Sequence, residues 1–166
     1  DGDQDLFVGS RVSPGMYPST PESKILINDG KGNFTDATGK IAPDIKYAGM
    51  VSDAVWIDVN QDKVNDLIIV GEWMPIRIFV NQKGKLKDSS AEFIKFGSSG
   101  WWNTIYAEDI DGDGDKDLVI GNLGLNAQFK ASEKEPMSIY YKDFDENGSV
   151  DPIFCYYIGG VSYPAA

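Results

Sequence analysis

The nonapeptide pattern D-x-[DN]-x-[DN]-x-x-x-D occurs three times in this chain, and each copy runs straight into an apolar, strand-like segment. The copies begin at Asp58 ("DVNQDKVNDLIIVGE"), Asp109 ("DIDGDGDKDLVIGN") and Asp143 ("DFDENGSVDPIFCYY"). The second sets five aspartates at alternate positions from Asp109 to Asp117. Carboxylates packed this closely repel one another, so such a segment is either a solvated loop or a cradle for positive charge. A repeat also restricts the fold strongly, because each unit must bury its apolar face against its neighbours.

The opening "DGDQDLFVGS" belongs to the same series, since Asp5-Leu6-Phe7-Val8-Gly9 aligns with Asp117-Leu118-Val119-Ile120-Gly121. Asp1 then stands at the fifth position of a fourth copy, and the chain is expected to be a segment of something longer. The ninth-position aspartates Asp5, Asp66, Asp117 and Asp151 are 61, 51 and 34 residues apart. The first two spacings suit a module of four short strands, and the third predicts an irregular or incomplete last module.

Between the acidic copies lie "KILINDGKGNFTDAT" and "IRIFVNQKGKLKDSS", each read as strand, glycine-containing turn and strand. "SDAVWID" and "WNTIYAED", ahead of the acidic copies, also read as strands. One unit is therefore strand, acidic loop, strand, connection, strand, turn, strand. No segment reads as a long helix, and residues 124–136 hold a short helix or a loop. The fold class expected is all-β: a partial β-propeller of about three four-stranded antiparallel blades, with the acidic loops between strands 1 and 2. Residues 1–166 form one such domain, with a partial blade over about 1–45, a blade over 46–96, and a blade plus an irregular or incomplete one over 97–166. The array is either open or completed by sequence outside this chain.

Hard cations such as calcium take six to eight oxygen ligands, and alternating carboxylates with a backbone carbonyl at position seven supply them. The candidate ligands are Asp58, Asn60, Asp62, Val64 and Asp66, then Asp109, Asp111, Asp113, Asp115 and Asp117, then Asp143, Asp145, Asn147, Ser149 and Asp151. Val64, Asp115 and Ser149 would contribute their carbonyls. Magnesium fits less well, because it demands tight octahedral geometry and keeps its waters. Three calcium ions would bring the formal charge from −11 to −5. An EF-hand is excluded: it needs a bidentate glutamate at position 12, where this chain has Ile69, Ile120 and Phe154 in strand-like runs. A metal-free Asx-rich turn is the remaining alternative, and three copies in register weigh against it.

The loop pattern and its place between strands resemble the FG-GAP or VCBS repeat, the blade unit of the integrin alpha-subunit propeller and of many bacterial surface proteins. "GNLGLNAQFKASEKEPMSIYYKDFDENGSVDP" further resembles secreted bacterial VCBS-repeat proteins. The resemblance implies a calcium loop joining the first and second strands of each blade. Two departures stand out. Lys63 occupies the usual glycine position, and Pro152 follows the last aspartate, removing a backbone donor at a strand start.

Composition narrows the function. The chain has no histidine, which removes Ser-His-Asp and Cys-His nucleophile systems, histidine-ligated zinc and imidazole acid–base chemistry. The acidic balance argues against nucleic-acid and anionic-membrane partners, and no apolar run is long enough to span a bilayer. Cys155, alone in "DPIFCYYI", reads as a buried thiol. Trp73, Trp101 and Trp102 suit either a carbohydrate-stacking platform or packing between blades, and packing is preferred. In the adjacent pair one tryptophan should face inward and the other outward. Asn33 and Asn147 lie in glycosylation patterns, although Asn147 is also a proposed ligand. Glu72 and Glu108 flank strands, but no spacing favours them as an acid–base pair over surface charge.

The chain is therefore expected to be a calcium-binding, non-enzymatic module of a secreted, periplasmic or cell-surface protein, without membrane insertion. Its role would be adhesion or the binding of a glycan or protein ligand. The alternatives are the scaffold of a secreted polysaccharide-active enzyme and a purely structural surface repeat.

Overall fold

The computed structural model describes residues 2–165, with Leu125 described by its backbone alone. It is all-β, with three antiparallel sheets, none of them closed on itself. Two compact units emerge: one runs to Arg11 and resumes over Pro21–Asn122, and the other comprises Val12–Thr20 and the residues from Leu123 on.

In the larger unit, β1 (Leu6–Val8), β2 (Lys24–Asn28) and β3 (Phe34–Asp36) form one sheet. A second sheet follows, in the order β7-β6-β5-β8-β9, with β4 also paired to β5. Its strands are β4 (Met50–Ile57), β5 (Asp66–Met74), β6 (Arg77–Asn81), β7 (Leu86–Asp88), β8 (Gly100–Glu108) and β9 (Asp117–Asn122). The order strand, acidic loop, strand, strand, turn, strand is realised in full by β4–β7. After β9 the chain leads into a single 3-10 turn, Gly124–Asn126, and β9 is the edge strand of this sheet beyond β8. Residues 123–137 carry lysines, glutamates and a proline without the apolar alternation that a half-buried strand needs. The smaller unit holds β10 (Ser138–Lys142), β11 (Asp151–Ile158) and β12 (Val161–Pro164) in one meander. Pro152 lies in β11 before its pairing with β12 begins at Cys155, where β11 has a ladder partner on one side only. The missing donor therefore costs that sheet little.

β5 organises the core. Its alternate side chains enter two different clusters, as the two-residue period of a strand requires. Leu67 and Ile69 join Ile25, Ile45, Val51, Phe79 and Leu86, whereas Ile68 and Val70 join Ile76, Ile78 and Ile105. Both faces of this strand are covered, which explains the unbroken apolar run "LIIV". Two bulges re-aim the first strands: register slips between Val51 and Asp53 in β4, and between Trp102 and Thr104 in β8. At the β4 bulge, Ser52 Oγ donates to the Trp102 carbonyl at 2.8 Å. Asp53 Oδ2 accepts from Thr104 Oγ1 at 2.8 Å and from the Ile105 amide at 3.0 Å. β4 is thereby tied to β8 through side chains rather than through a ladder.

Two four-residue helices, α1 (Thr38–Ile41) and α2 (Ser90–Phe93), follow β3 and β7. In both, an aspartate orders the turn: Asp36 Oδ1 accepts from the Thr38 amide, and Asp88 Oδ1 from that of Ser90, each at 3.0 Å. The hydroxyls are used alike, Thr38 Oγ1 and Ser90 Oγ accepting the amides of Ile25 and Ile78 at 2.9 Å. "FTDAT" and "LKDSS" thus encode one structural unit twice.

Candidate metal centres

Each acidic nonapeptide spans the turn between two antiparallel strands: 58–66 joins β4 to β5, 109–117 joins β8 to β9, and 143–151 joins β10 to β11. Positions four and six have positive φ in all three. They are Gln61 and Lys63 (61° and 69°), Gly112 and Gly114 (80° and 98°), and Glu146 and Gly148 (59° and 88°). Gly2, at position six of the opening copy, has φ of 110° as well. This alternation coils the backbone so that its amides converge on the acids.

The hydrogen bonds repeat from loop to loop with one shift, Asp109 taking the amide of position four where Asp58 and Asp143 take that of position five. The ninth-position carboxylates of Asp66, Asp117 and Asp151 accept from the amides of Val59, Ile110 and Phe144, each at 3.0 Å. The first-position carboxylates each take two amides: Asp58 from Asp62 and Lys63 at 3.1 and 2.7 Å, Asp109 from Gly112 and Gly114 at 2.7 and 3.0 Å, and Asp143 from Asn147 and Gly148 at 3.1 and 2.9 Å. At position three, Asn60, Asp111 and Asp145 accept from the amide of position five at 3.1, 3.2 and 3.3 Å. Position five, which is Asp62, Asp113 or Asn147, accepts from the amide of position seven at 2.8, 3.1 and 2.8 Å.

This framework gathers positions one, three and nine. Carboxylate oxygens of Asp109, Asp111 and Asp117 lie within 4.8 Å of one another, as do those of Asp143, Asp145 and Asp151. Asp113 and Asp115 stand outside the first of these groups. Among the described residues no third carboxylate trio forms at 58–66, where position three is the amide Asn60. Asn60 Nδ2 donates to Asp62 Oδ2 at 3.0 Å. The repulsion is visible in the titration of Asp115, whose carboxyl is pushed above its ordinary value first by the charge of Asp113. Desolvation and the charges of Asp117 and Asp111 add to that push. The Lys116 ammonium pairs first with Glu108 at 2.8 Å and also feels the charge of Asp109. The side-chain ligand candidates in all three loops are oxygen donors, with no thiol or imidazole within the loops. Amide-held carboxylates with lone pairs to spare fit a hard divalent cation.

Some contributors were hidden in the sequence. Asp66 Oδ1 also accepts the Asn81 amide at 2.7 Å, and Asp5 Oδ1 accepts that of Asn28 at 2.9 Å. A ninth-position aspartate thus braces the end of the third strand of its own unit. The signal was present, since Asn28 and Asn81 both close their strands just before a glycine turn, but a strand-end asparagine reads first as a turn former.

The remaining candidates separate. Glu72 is 2% exposed and ion-paired with Arg11. It lies opposite Trp101 at the start of β8, whereas Glu108 ends that strand. Seven residues at about 3.3 Å each put the two glutamates roughly 23 Å apart, too far to act as an acid–base pair. Trp102 packs against the second cluster and donates from Nε1 to the Ser98 carbonyl at 2.9 Å. Trp101 instead meets Trp73, with ring centroids 5.6 Å apart and planes at 54°. The adjacent tryptophans therefore make different contacts, Trp102 with the second cluster and Trp101 with Trp73. Cys155 is half-buried rather than buried, because it lies in a three-stranded sheet whose residues are at best partly covered. Asn33 is exposed, but its side-chain amide donates to Asp29 Oδ2 at 2.8 Å and helps hold the turn.

The FG-GAP-like repeat family model matches residues 1–69 and again residues 58–120. The chain belongs to the FG-GAP-like repeat family. The two matches overlap at 58–69, which covers an acidic loop and the start of the strand that follows it. Membership supports a propeller-like repeat module of structural or binding character. A search among curated proteins gave no match.

Proposed function

We propose that this chain is a calcium-binding, non-enzymatic propeller module of a secreted or cell-surface protein, serving adhesion or the binding of a glycan or protein ligand. The observation that carries the reading is the convergence of three carboxylates in each of two loops built on one repeated amide framework. Such a framework fixes acids in place at the cost of their mutual repulsion, and a divalent cation removes that cost. Calcium is preferred over magnesium because mixed carboxylate, amide and carbonyl oxygens suit its larger, more flexible shell. Millimolar extracellular calcium would keep even weak loops filled, which favours an extracellular, periplasmic or surface location. No helix among the described residues is long and apolar enough to cross a membrane. The charge of −11 disfavours a nucleic-acid partner. The separation of Glu72 from Glu108 weakens the polysaccharide-enzyme alternative.

Calorimetric titration of the chain with Ca²⁺, set beside Mg²⁺ and the variants Asp109→Asn and Asp143→Asn, tests the cation assignment. Each variant should remove one binding event and leave the other. Heat of binding unchanged in both variants would sink the loop assignment. A glycan and matrix-protein binding screen with the calcium-loaded chain addresses the ligand.

A further inference from the structure

The three acidic loops share one framework but differ in what supports it. In loop 58–66 the ninth-position Asp66 is 0% exposed, and both its oxygens are taken, one by Val59 and the other by Asn81. Asp117 and Asp151 each accept one amide on Oδ2, and among the described residues nothing donates to Oδ1. The second position differs in the same sense. Val59 packs against the core, whereas Ile110 is 63% and Phe144 57% exposed. The strands that leave the loops differ too. β5 is buried from Asp66 through Glu72, while β9 and β11 alternate between half-buried and exposed. Charge follows the same division. Loop 58–66 carries a net −2, because Asn60 and Lys63 stand where loop 109–117 has Asp111 and Gly114, and the other two loops each carry −4.

From these differences, and resting on the cation reading above, we infer that loop 58–66 holds its conformation without a cation, and that only loops 109–117 and 143–151 depend on one for their order. Fewer like charges and a buried, fully hydrogen-bonded anchor offset the remaining repulsion in the first loop. The other two lack both, so there the free energy of binding is also the free energy of ordering. The module is thereby graded: a core repeat that persists at low calcium, followed by repeats that order as calcium rises.

Amide hydrogen exchange read by NMR on the full chain, in millimolar Ca²⁺ and then in chelator, tests this. Chelation should speed exchange at Ile110, Gly114, Phe144 and Gly148 by roughly tenfold or more, and at Val59, Lys63 and Asn81 by less than about twofold. Equal acceleration in all three loops would overturn the grading while leaving the cation reading intact. No acceleration anywhere would overturn both. As a second readout, the double variant Asn60→Asp with Lys63→Gly brings loop 58–66 to −4 and should make its exchange respond to chelation; an unresponsive loop in that variant would show that charge does not set the difference.

Discussion

At position six of the first complete loop, Lys63 holds φ of 69°, where the other two loops have glycine. A side chain with a Cβ meets its own carbonyl in that region, at a cost of about 1 kcal/mol. With the lost charge screened by about 1 M salt, Lys63→Gly should therefore stabilise the chain by about 0.5–1 kcal/mol in urea unfolding, and an unchanged or lower midpoint would show that the lysine has a compensating contact. Asp66 is the opposite case. Its replacement by alanine strands the Val59 and Asn81 amides inside the protein and removes two charge-assisted hydrogen bonds. Asp66→Ala should cost about 3 kcal/mol, and a loss below about 1 kcal/mol would mean that the brace is not what holds the strand ends. At this scale the sequence was legible wherever chemistry follows from spacing: the oxygen donors and their alternation lie in the pattern itself. The convergence of the carboxylates at positions one, three and nine did not, because it depends on the positive-φ coil between them.

At the scale of elements, strands and acidic loops followed from the two-residue period and the turn residues, while the joints between strands did not. Gly71, opposite Val51 beside the β4 bulge, is one such joint: a Cβ there would collide with the Met50 carbonyl oxygen of the neighbouring strand. Gly71→Ala should destabilise by about 2–3 kcal/mol, measurable by chemical denaturation; near-neutral behaviour would mean that the bulge relaxes freely. Asp53 is another. Burial raises its carboxyl, but the Ile105 amide, the Thr104 hydroxyl and the Ala54 amide outweigh that and hold it below the ordinary value of 3.8. A folded-state pKa below the unfolded one contributes stability above the unfolded value and loses it as pH falls through the folded value. The native chain should thus weaken as pH drops below about 4. Asp53→Asn should start weaker at neutral pH and lose less on acidification. Urea midpoints at neutral pH and at about pH 3 check this, and equal acid sensitivity in the two proteins would discount the tie. An aspartate inside a strand was a visible anomaly of propensity, but only the fold says what it binds. The short helices α1 and α2 escaped the sequence reading because four residues hold no period, and each depends on an aspartate placed by the strand before it.

For the whole molecule the dominant quantity is the charge of −11, which repels itself in the folded chain and relaxes when cations bind. Thermal unfolding in Ca²⁺ at a hundredfold excess over Kd should raise Tm by roughly 5–10 °C for each loop that fills, with a much smaller rise in Mg²⁺. Equal shifts with the two metals would point to general screening of charge instead. The sequence by itself determined the all-β character, the positions of the acidic loops and the oxygen-only donor sets, because these depend on neighbours a few residues apart. Tertiary structure decided which repeat became a four-stranded array, which carboxylate was buried and braced, and which glutamate was spent in an ion pair. Those outcomes depend on burial, a sum over residues far apart in the chain. Asp66 and Asp117 share a motif and differ in fate because one is followed by a strand that covers it and the other is not.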